Sequence, residues 1–304
     1  MFNALKADTY VGGGDISATR IIAPPRIVAL RKFHEDEIQE DAADRIWSLL
    51  GSSTHRILEL STGETEGLKI EHRLGMDIEG WRVTGQPDVW HDGAIYDYKV
   101  TSVWSVLFGE KPEWERQLNI QAMLHRHGGD KVSSVSIVAI LRDWQARKAR
   151  FEKDYPGQAV KVIGLPLWSQ DEAIEYVTKR VKLHQKTQAD YIKSGKNPDT
   201  LPMCTEDERW YRGAGWAVKK MDSKGKINKK ADRVFTSLTD ARQYQSDNAS
   251  QLPKGKSWAP LEERKGENIR CLQYCDVWFK CPFGKALHAA LVNETPAGEE
   301  EEAA

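Results

Sequence analysis

The sequence predicts an α/β protein in which strands and helices are interleaved, and three observations carry that prediction. Asp92-Gly93 sits between two runs rich in strand formers, "RVTGQPDVW" and "AIYDYKV", as a two-residue hairpin would require, since both central positions of a type I′ turn need positive φ. The segment "VSSVSIVAIL" is apolar enough for a buried, interior strand. Helix-period runs lie on both sides of these strands, and the longest opens with the capping box Ser169-x-x-Glu172.

Taken in order, residues 1 to 30 read as irregular, with Pro24-Pro25 expected to break any helix. A polar helical run starts at Phe33 and ends at Gly51, and "SSTHRILEL" offers serine or threonine caps for a second helix. The strand "GLKIEHRLGM" and the Asp-Gly hairpin come next. The run "KPEWERQLNIQAMLHRHGG" is a helix with Trp114, Leu118 and Ala122 on one stripe and a glycine stop. After the apolar strand, the capped amphipathic helix closes near Gly195. Residues 205 to 262 change texture to a small hairpin with a Lys/Gly-rich turn and a short helix, of low apolar content. There is no internal repeat.

With 304 residues, 40% hydrophobic and 29% charged, the chain is long enough to bury a site in one large core or in a core plus an inserted module. It holds no apolar run of about 18 residues, and "MFNALKADTY" lacks a basic region followed by an apolar stretch, so a cytoplasmic protein with no membrane partner is expected. The formal net charge is −1, and the "GEEEEAA" end of residues 289–304 reads as a disordered acidic tail.

The hairpin register sets His91 opposite Ala94, Trp90 opposite Ile95, Val89 opposite Tyr96 and Asp88 opposite Asp97. Because strand side chains alternate faces, Lys99 shares a face with Asp97 and with Asp88. Opposed like charges cost a sheet roughly 0.2 to 1 kcal/mol per pair unless a counter-charge lies between them. A divalent cation such as magnesium or manganese supplies one, and these ions prefer carboxylate oxygens. Alone, the hairpin suits a solvated Asp-Lys salt bridge as well. His55, on the preceding helical run, and Gln117 and Gln121, on the following one, complete the candidate set.

The order of these pieces resembles the RecB-like branch of the PD-(D/E)XK nucleases. "GSSTH" (51–55) is similar to that branch's Gly-x-x-x-His, "GQPD" (85–88) to its Gly-x-x-Asp, "DYK" (97–99) to its acid-x-Lys, and "QLNIQ" (117–121) to its Gln-x-x-x-Tyr, with Gln121 where tyrosine is usual. The resemblance spans roughly residues 16 to 285 and implies a restriction-endonuclease-like core over 1–200, with a mixed central sheet flanked by helices. It implies metal-dependent DNA cleavage of the recombination or repair type, an exonuclease rather than an endonuclease, of phage or bacterial kind. In the roles it implies, His55, Asp88, Asp97 and the Tyr98 main-chain carbonyl bind magnesium or manganese, Lys99 orients or activates water, and Gln117 assists. Glu59, one turn beyond His55, reads as a helix-surface residue. A recombination or replication partner protein is expected, and the alternative from another class is a DNA-binding or assembly protein that keeps the fold and cluster without turnover.

Four cysteines, Cys204, Cys271, Cys275 and Cys281, three of them within "CLQYCDVWFKC", point to a metal centre before disulfides. The Cys-x3-Cys-x5-Cys spacing with one remote partner is unlike paired zinc knuckles and closer to an iron-sulfur arrangement. It resembles the 4Fe-4S clasp of the AddB-type and CRISPR-adaptation nucleases, except that Cys204 follows the core where many relatives place the remote cysteine before it, near a Pro-Arg such as Pro25-Arg26. The resemblance implies a structural cluster in an iron-sulfur region over 201–288, and a zinc-stapled nuclease is the alternative. Within that region Lys219, Lys220, Lys224, Lys229 and Lys230 make the 205–262 insert locally basic, either as a DNA-backbone contact or as a solvated hairpin.

Overall fold

The computed structural model describes residues 13–39, 46–61, 67–107 and 111–294, and the chain divides into two units, Met1–Pro202 and Met203–Ala304. In the first unit the elements run β1 (Ile16–Ser17), α1 (Ala18–Ile22), α2 (Pro25–Phe33), α3 (Ile46–Ser61), β2 (Leu68–Ile70), β3 (Leu74–Ile78), β4 (Trp81–Gly85), β5 (Val89–His91) and β6 (Ala94–Thr101). There follow α4 (Trp104–Leu107), α5 (Pro112–His127), β7 (Ser134–Leu141), α6 (Ala146–Phe151), β8 (Val160–Leu165) and α7 (Gln170–Lys193). This is a mixed α/β architecture. The larger sheet has the order β2-β5-β6-β7-β8, parallel only between β6 and β7, and a smaller sheet has the order β1-β4-β3.

The hairpin forms with the predicted register, Val89 against Tyr96, Trp90 against Ile95 and His91 against Ala94. Asp92 and Gly93 both take positive φ, 44° and 80°, as a I′ turn demands. Helix α5 buries Trp114, Leu118 and Ala122 against the sheet residues Ile95, Val135, Ile137 and Ala139, and Gly128 caps its end. A second core packs Ile120, Met123 and Leu124 of α5 with Val177 and Val181 of α7 and with Ile21 and Val83. The capping box at Ser169 is present with both of its hydrogen bonds.

Four expectations are corrected. The N-terminal region is not irregular from Ile16 onward: Pro25 stands at the first position of α2, where its missing N–H is no loss. Gly51 does not end a helix, because α3 runs through it from Ile46 to Ser61, and one glycine in a helix interior costs only about 1 kcal/mol. Residues 40–45 of that expected run lie outside the described residues. "GLKIEHRLGM" is two strands, β2 and β3, in different sheets, and likewise "RVTGQPDVW" divides into β4 and β5. The chain therefore changes sheets across Gln86–Asp88.

The second unit holds β9 (Tyr211–Arg212), β10 (Gly215–Val218), β11 (Lys220–Asp222), β12 (Arg233–Phe235), α8 (Leu238–Asp247), β13 (Lys256–Trp258), β14 (Glu262–Arg264), β15 (Glu267–Asn268), α9 (Ile269–Gln273) and α10 (Pro282–Glu294). Its sheet is β12-β10-β14, with β11-β13 and β15-β9 as separate pairs. The stretch expected as one hairpin and a helix is thus a small module with its own core, where Ala217, Val218, Ala241 and Ala259 are buried and Tyr244 packs between Phe235 and Trp258. Helix α10 continues to Glu294, six residues into the expected tail, and 295–304 lie outside the described residues. No helix among the described residues is long and apolar enough to cross a membrane.

Candidate metal and catalytic site

The sheet change at Gln86–Asp88 creates the site. Asp88 follows the end of β4 and precedes β5, and its carboxylate turns back onto the hairpin. Its Oδ2 accepts the Tyr98 backbone N–H at 2.5 Å, and its Oδ1 lies 3.1 Å from His55 Nδ1 on α3. That hydrogen bond with Asp88 holds the His55 imidazole above its ordinary pKa, against the opposing effect of burial.

Asp97, on β6, is only 2% exposed. Gln117 of α5 donates from Nε2 to its Oδ1 at 3.0 Å, while Lys99 forms an ion pair at its Oδ2. That second oxygen has no aligned hydrogen-bond donor. Burial pushes the Asp97 carboxyl upward, the nearby Asp88 carboxylate adds to the rise, and Lys99 opposes it. Asp97 is thus held between Gln117 and Lys99, beside the Asp88 carboxylate.

Glu71 was not legible in the sequence, where it is one acid in "KIEHR". In the structure it follows β2, donates its backbone N–H to the Asp88 carbonyl at 3.0 Å, and has φ of 46°. The left-handed region is unusual for a residue with a Cβ and tends to persist where the surroundings fix it. Here the bend turns the side chain toward Asp88: ligand atoms of His55, Glu71 and Asp88 all lie within 4.8 Å of one another. The same small cleft is bordered by Glu59 and Tyr98. Glu59 is thus at the rim of the site, paired with Arg56 at 2.5 Å.

Gln121 does not reach the carboxylates. It is buried and donates from Nε2 to the Gln86 carbonyl at 3.2 Å, bracing the loop that presents Asp88. The Tyr98 carbonyl belongs to β6 between Asp97 and Lys99, on the same turn of chain as the pair. Two oxygen-rich groups, Asp88 with Glu71 and His55, and Asp97 with Lys99 and Gln117, therefore meet at the hairpin.

All four cysteines fall in the second unit, and none is in a disulfide. The segment after Cys204 is tied to the segment carrying Cys271: β9 pairs with β15, Arg270 N–H donates to the Arg209 carbonyl at 3.0 Å, and Arg270 Nη1 to the Glu208 carbonyl at 2.7 Å. Burial pushes the Cys275 thiol up to about 11, with the neighbouring Cys271 and Cys281 adding to the rise. Among the described residues the ligand atoms grouped within 4.8 Å of one another do not include those of the cysteines, and burial holds the Cys275 thiol in its neutral form. Before Cys204, Arg26 donates to the carbonyls of Leu201 at 2.6 Å and Pro202 at 2.9 Å, so the Pro25-Arg26 pair clamps the chain at the end of the first unit.

Of the insert lysines, Lys219 pairs with Glu262 and Lys220 with Asp232, each at 2.5 Å, whereas Lys224, Lys229 and Lys230 are exposed.

No family model matches the chain, and no curated protein matches it. Among solved structures, the chain is similar to SSO0001, at 15% identity and a TM-score of 0.40, over 60% of this chain and 83% of that one. It is also similar to an alkaline exonuclease, LHK-Exo, from Laribacter hongkongensis, at 14% identity and a TM-score of 0.38, over 64% of this chain and 97% of that one. The same exonuclease in complex with dAMP matches at 14% identity and 0.38, over 60% and 93%.

Proposed function

We propose that this protein is a divalent-metal-dependent DNA exonuclease with a restriction-endonuclease-like core of the RecB-like branch, and that its second unit holds a structural 4Fe-4S cluster. The observation that carries the reading is the grouping of His55, Glu71 and Asp88 ligand atoms within 4.8 Å of one another, beside the buried Asp97 and its ion pair with Lys99.

Magnesium or manganese, when bound, would offset the charge that grows on phosphate oxygens and acidify water. The chain's own residues would do the rest. Asp88, Asp97, His55 and the Tyr98 carbonyl form the ligand set, to which the geometry adds Glu71. Gln117 fixes the Asp97 carboxylate by its hydrogen bond, and Gln121 fixes the loop before Asp88. Lys99, ion-paired with Asp97, would donate a hydrogen bond from Nζ to a water or phosphate oxygen gathered by the acids. Cys204, Cys271, Cys275 and Cys281 carry no chemistry in this scheme, since hydrolysis needs no electron transfer. Lys224, Lys229 and Lys230 contribute to DNA-backbone attraction.

The test is digestion of end-labelled linear and closed circular DNA, single- and double-stranded, with magnesium, with manganese and with chelator. Metal-dependent loss of linear DNA with circles spared supports the reading. Binding of DNA without loss of any substrate would instead support a non-catalytic DNA-binding or assembly protein.

A further inference from the structure

At the carboxyl ends of the two parallel strands, β6 and β7, the chain makes an excursion that neither the metal site nor the cysteines use. Arg142 leaves β7, its backbone N–H bonded to the Thr101 carbonyl at 3.0 Å, two residues beyond Lys99 on the neighbouring strand. Its guanidinium lies 4.2 Å from the centre of the Trp47 ring, an indole that is 56% exposed. Asp143, the acid next to it, is already occupied by Ser102 Oγ and the Val103 N–H. The short helix α6 then presents Arg147, Arg150 and Phe151 on one face, at spacings of three and four, with Phe151 80% exposed. Arg147, Lys148 and Arg150 are in no ion pair among the described residues.

An exposed indole with a guanidinium laid on it is held in one orientation at little entropic cost to a ligand. Aromatic planes interleaved with cations that no carboxylate pairs with among the described residues, Arg142 over Trp47 and Lys148 over Tyr155 among them, are the surface that single-stranded nucleic acid fits, bases stacking on the rings and phosphates meeting the charges. The position fits too. Thr101 is about 7 Å along the strand from Lys99 and Arg142 one strand over, about 5 Å further. Trp47 is eight residues before His55 on α3, about 12 Å along the helix. At about 3.4 Å per stacked nucleotide the platform lies three to four nucleotides from the acids.

We propose that Trp47, Arg142 and the α6 residues Arg147, Lys148, Arg150 and Phe151 form a platform for an unpaired stretch of DNA entering the candidate site, so that the preferred substrate is an end carrying a single-stranded tail. This rests on the nuclease reading for its position and deepens it by naming the substrate form.

The experiment uses the full chain carrying Asp97→Asn, to read binding without cutting, and a fluorescent twelve-residue oligothymidylate. Trp47→Ala in that background should weaken binding by roughly 5- to 100-fold, the loss of one stacked base, while Trp47→Phe retains most of the affinity. Replacing Arg147, Lys148 and Arg150 with glutamine should lower the log-log salt slope by about 2, at about 0.7 per contact on a single strand. In the parent protein with manganese, duplexes with tails of about four or more nucleotides should be cut faster than blunt ones, and Trp47→Ala should remove that difference. Unchanged oligothymidylate affinity in Trp47→Ala, or an unchanged slope in the triple variant, overturns the platform even if the parent cuts DNA. Weakened binding in those variants with a parent that cuts nothing overturns the nuclease reading and leaves the platform standing.

Discussion

Asp97→Asn separates what this carboxylate does for the fold from what it does for the site. It is 2% exposed, its charged form is disfavoured by burial and by Asp88, and Lys99 offsets that cost in part. The sign follows from the raised folded-state pKa. Such a group stabilises below its unfolded pKa, and that contribution is lost as pH rises through the folded pKa, so ionising Asp97 in the folded state is a net cost. Asparagine keeps the shape and the Gln117 bond partner while removing the charge, and Lys99, about a quarter exposed at 27%, can turn to water. Removing a buried charge that Lys99 and Gln117 compensate in part should stabilise by about 1 kcal/mol, which in a unit the size of Met1–Pro202 is about 2–4 °C in Tm. Manganese should reverse the order. At a hundredfold excess over Kd it adds about 2.7 kcal/mol to the wild type and little to the variant. Differential scanning fluorimetry at pH 7.5, with chelator and across a manganese titration, reads both. A variant that melts below wild type in chelator, or that gains as much from manganese as wild type does, refutes the reasoning.

Three further outcomes follow from other parts of the molecule. Glu71→Gln should weaken manganese binding by at least about tenfold in calorimetry while leaving the fold intact, and an unchanged Kd would remove Glu71 from the ligand set. His184, 1% exposed, donates from Nε2 to the Ile21 carbonyl at 3.0 Å, and burial depresses its pKa to about 4. The unfolded chain therefore takes up a proton that the folded chain refuses between about pH 6.5 and 4, removing about 3 kcal/mol by the lower limit. Urea unfolding of wild type and His184→Asn across that range should show stability falling more steeply with acid in wild type, and parallel curves would contradict the assignment. Protein purified without oxygen should be brown with a sulfur-to-iron charge-transfer band that Cys271→Ser and Cys275→Ser lose together with thermal stability. Metal analysis finding zinc would replace the cluster, and serine variants as stable and active as the parent would dismiss the centre.

The hairpin and its register were legible because Asp92-Gly93 fixes the turn, and a fixed turn with period-two alternation fixes every pairing that follows. Helices α5 and α7 were legible because their stops and caps are side-chain chemistry, Gly128 and Ser169 with Glu172. What was hidden depends on tertiary context. Pro24-Pro25 reads as a breaker until the second proline is seen at the first position of a helix. The move of the chain between sheets at Gln86–Asp88 has no local signal, yet it is what frees Asp88. Glu71 was hidden for the same reason: its role arises from a left-handed residue after a three-residue strand, and neither the strand's end nor the fold that turns it is written in "KIEHR". The roles of Gln117 and Gln121 differ, one on the carboxylate and one on the loop, although their spacing on the helix suggested a single motif.

The central claim is that Asp88, Asp97 and Lys99 perform metal-dependent hydrolysis of DNA, and the most direct measurement is the single-turnover cleavage rate of a tailed, end-labelled DNA by wild type and by Asp88→Ala, Asp97→Ala and Lys99→Ala, with binding of the same DNA measured in parallel. Cleavage by wild type should stop with chelator, and each variant should lose cleavage with binding retained, by at least about a hundredfold for the loss of one preorganised charged group. Cleavage at the wild-type rate in any of the three, or wild-type cleavage that survives chelator, would contradict it.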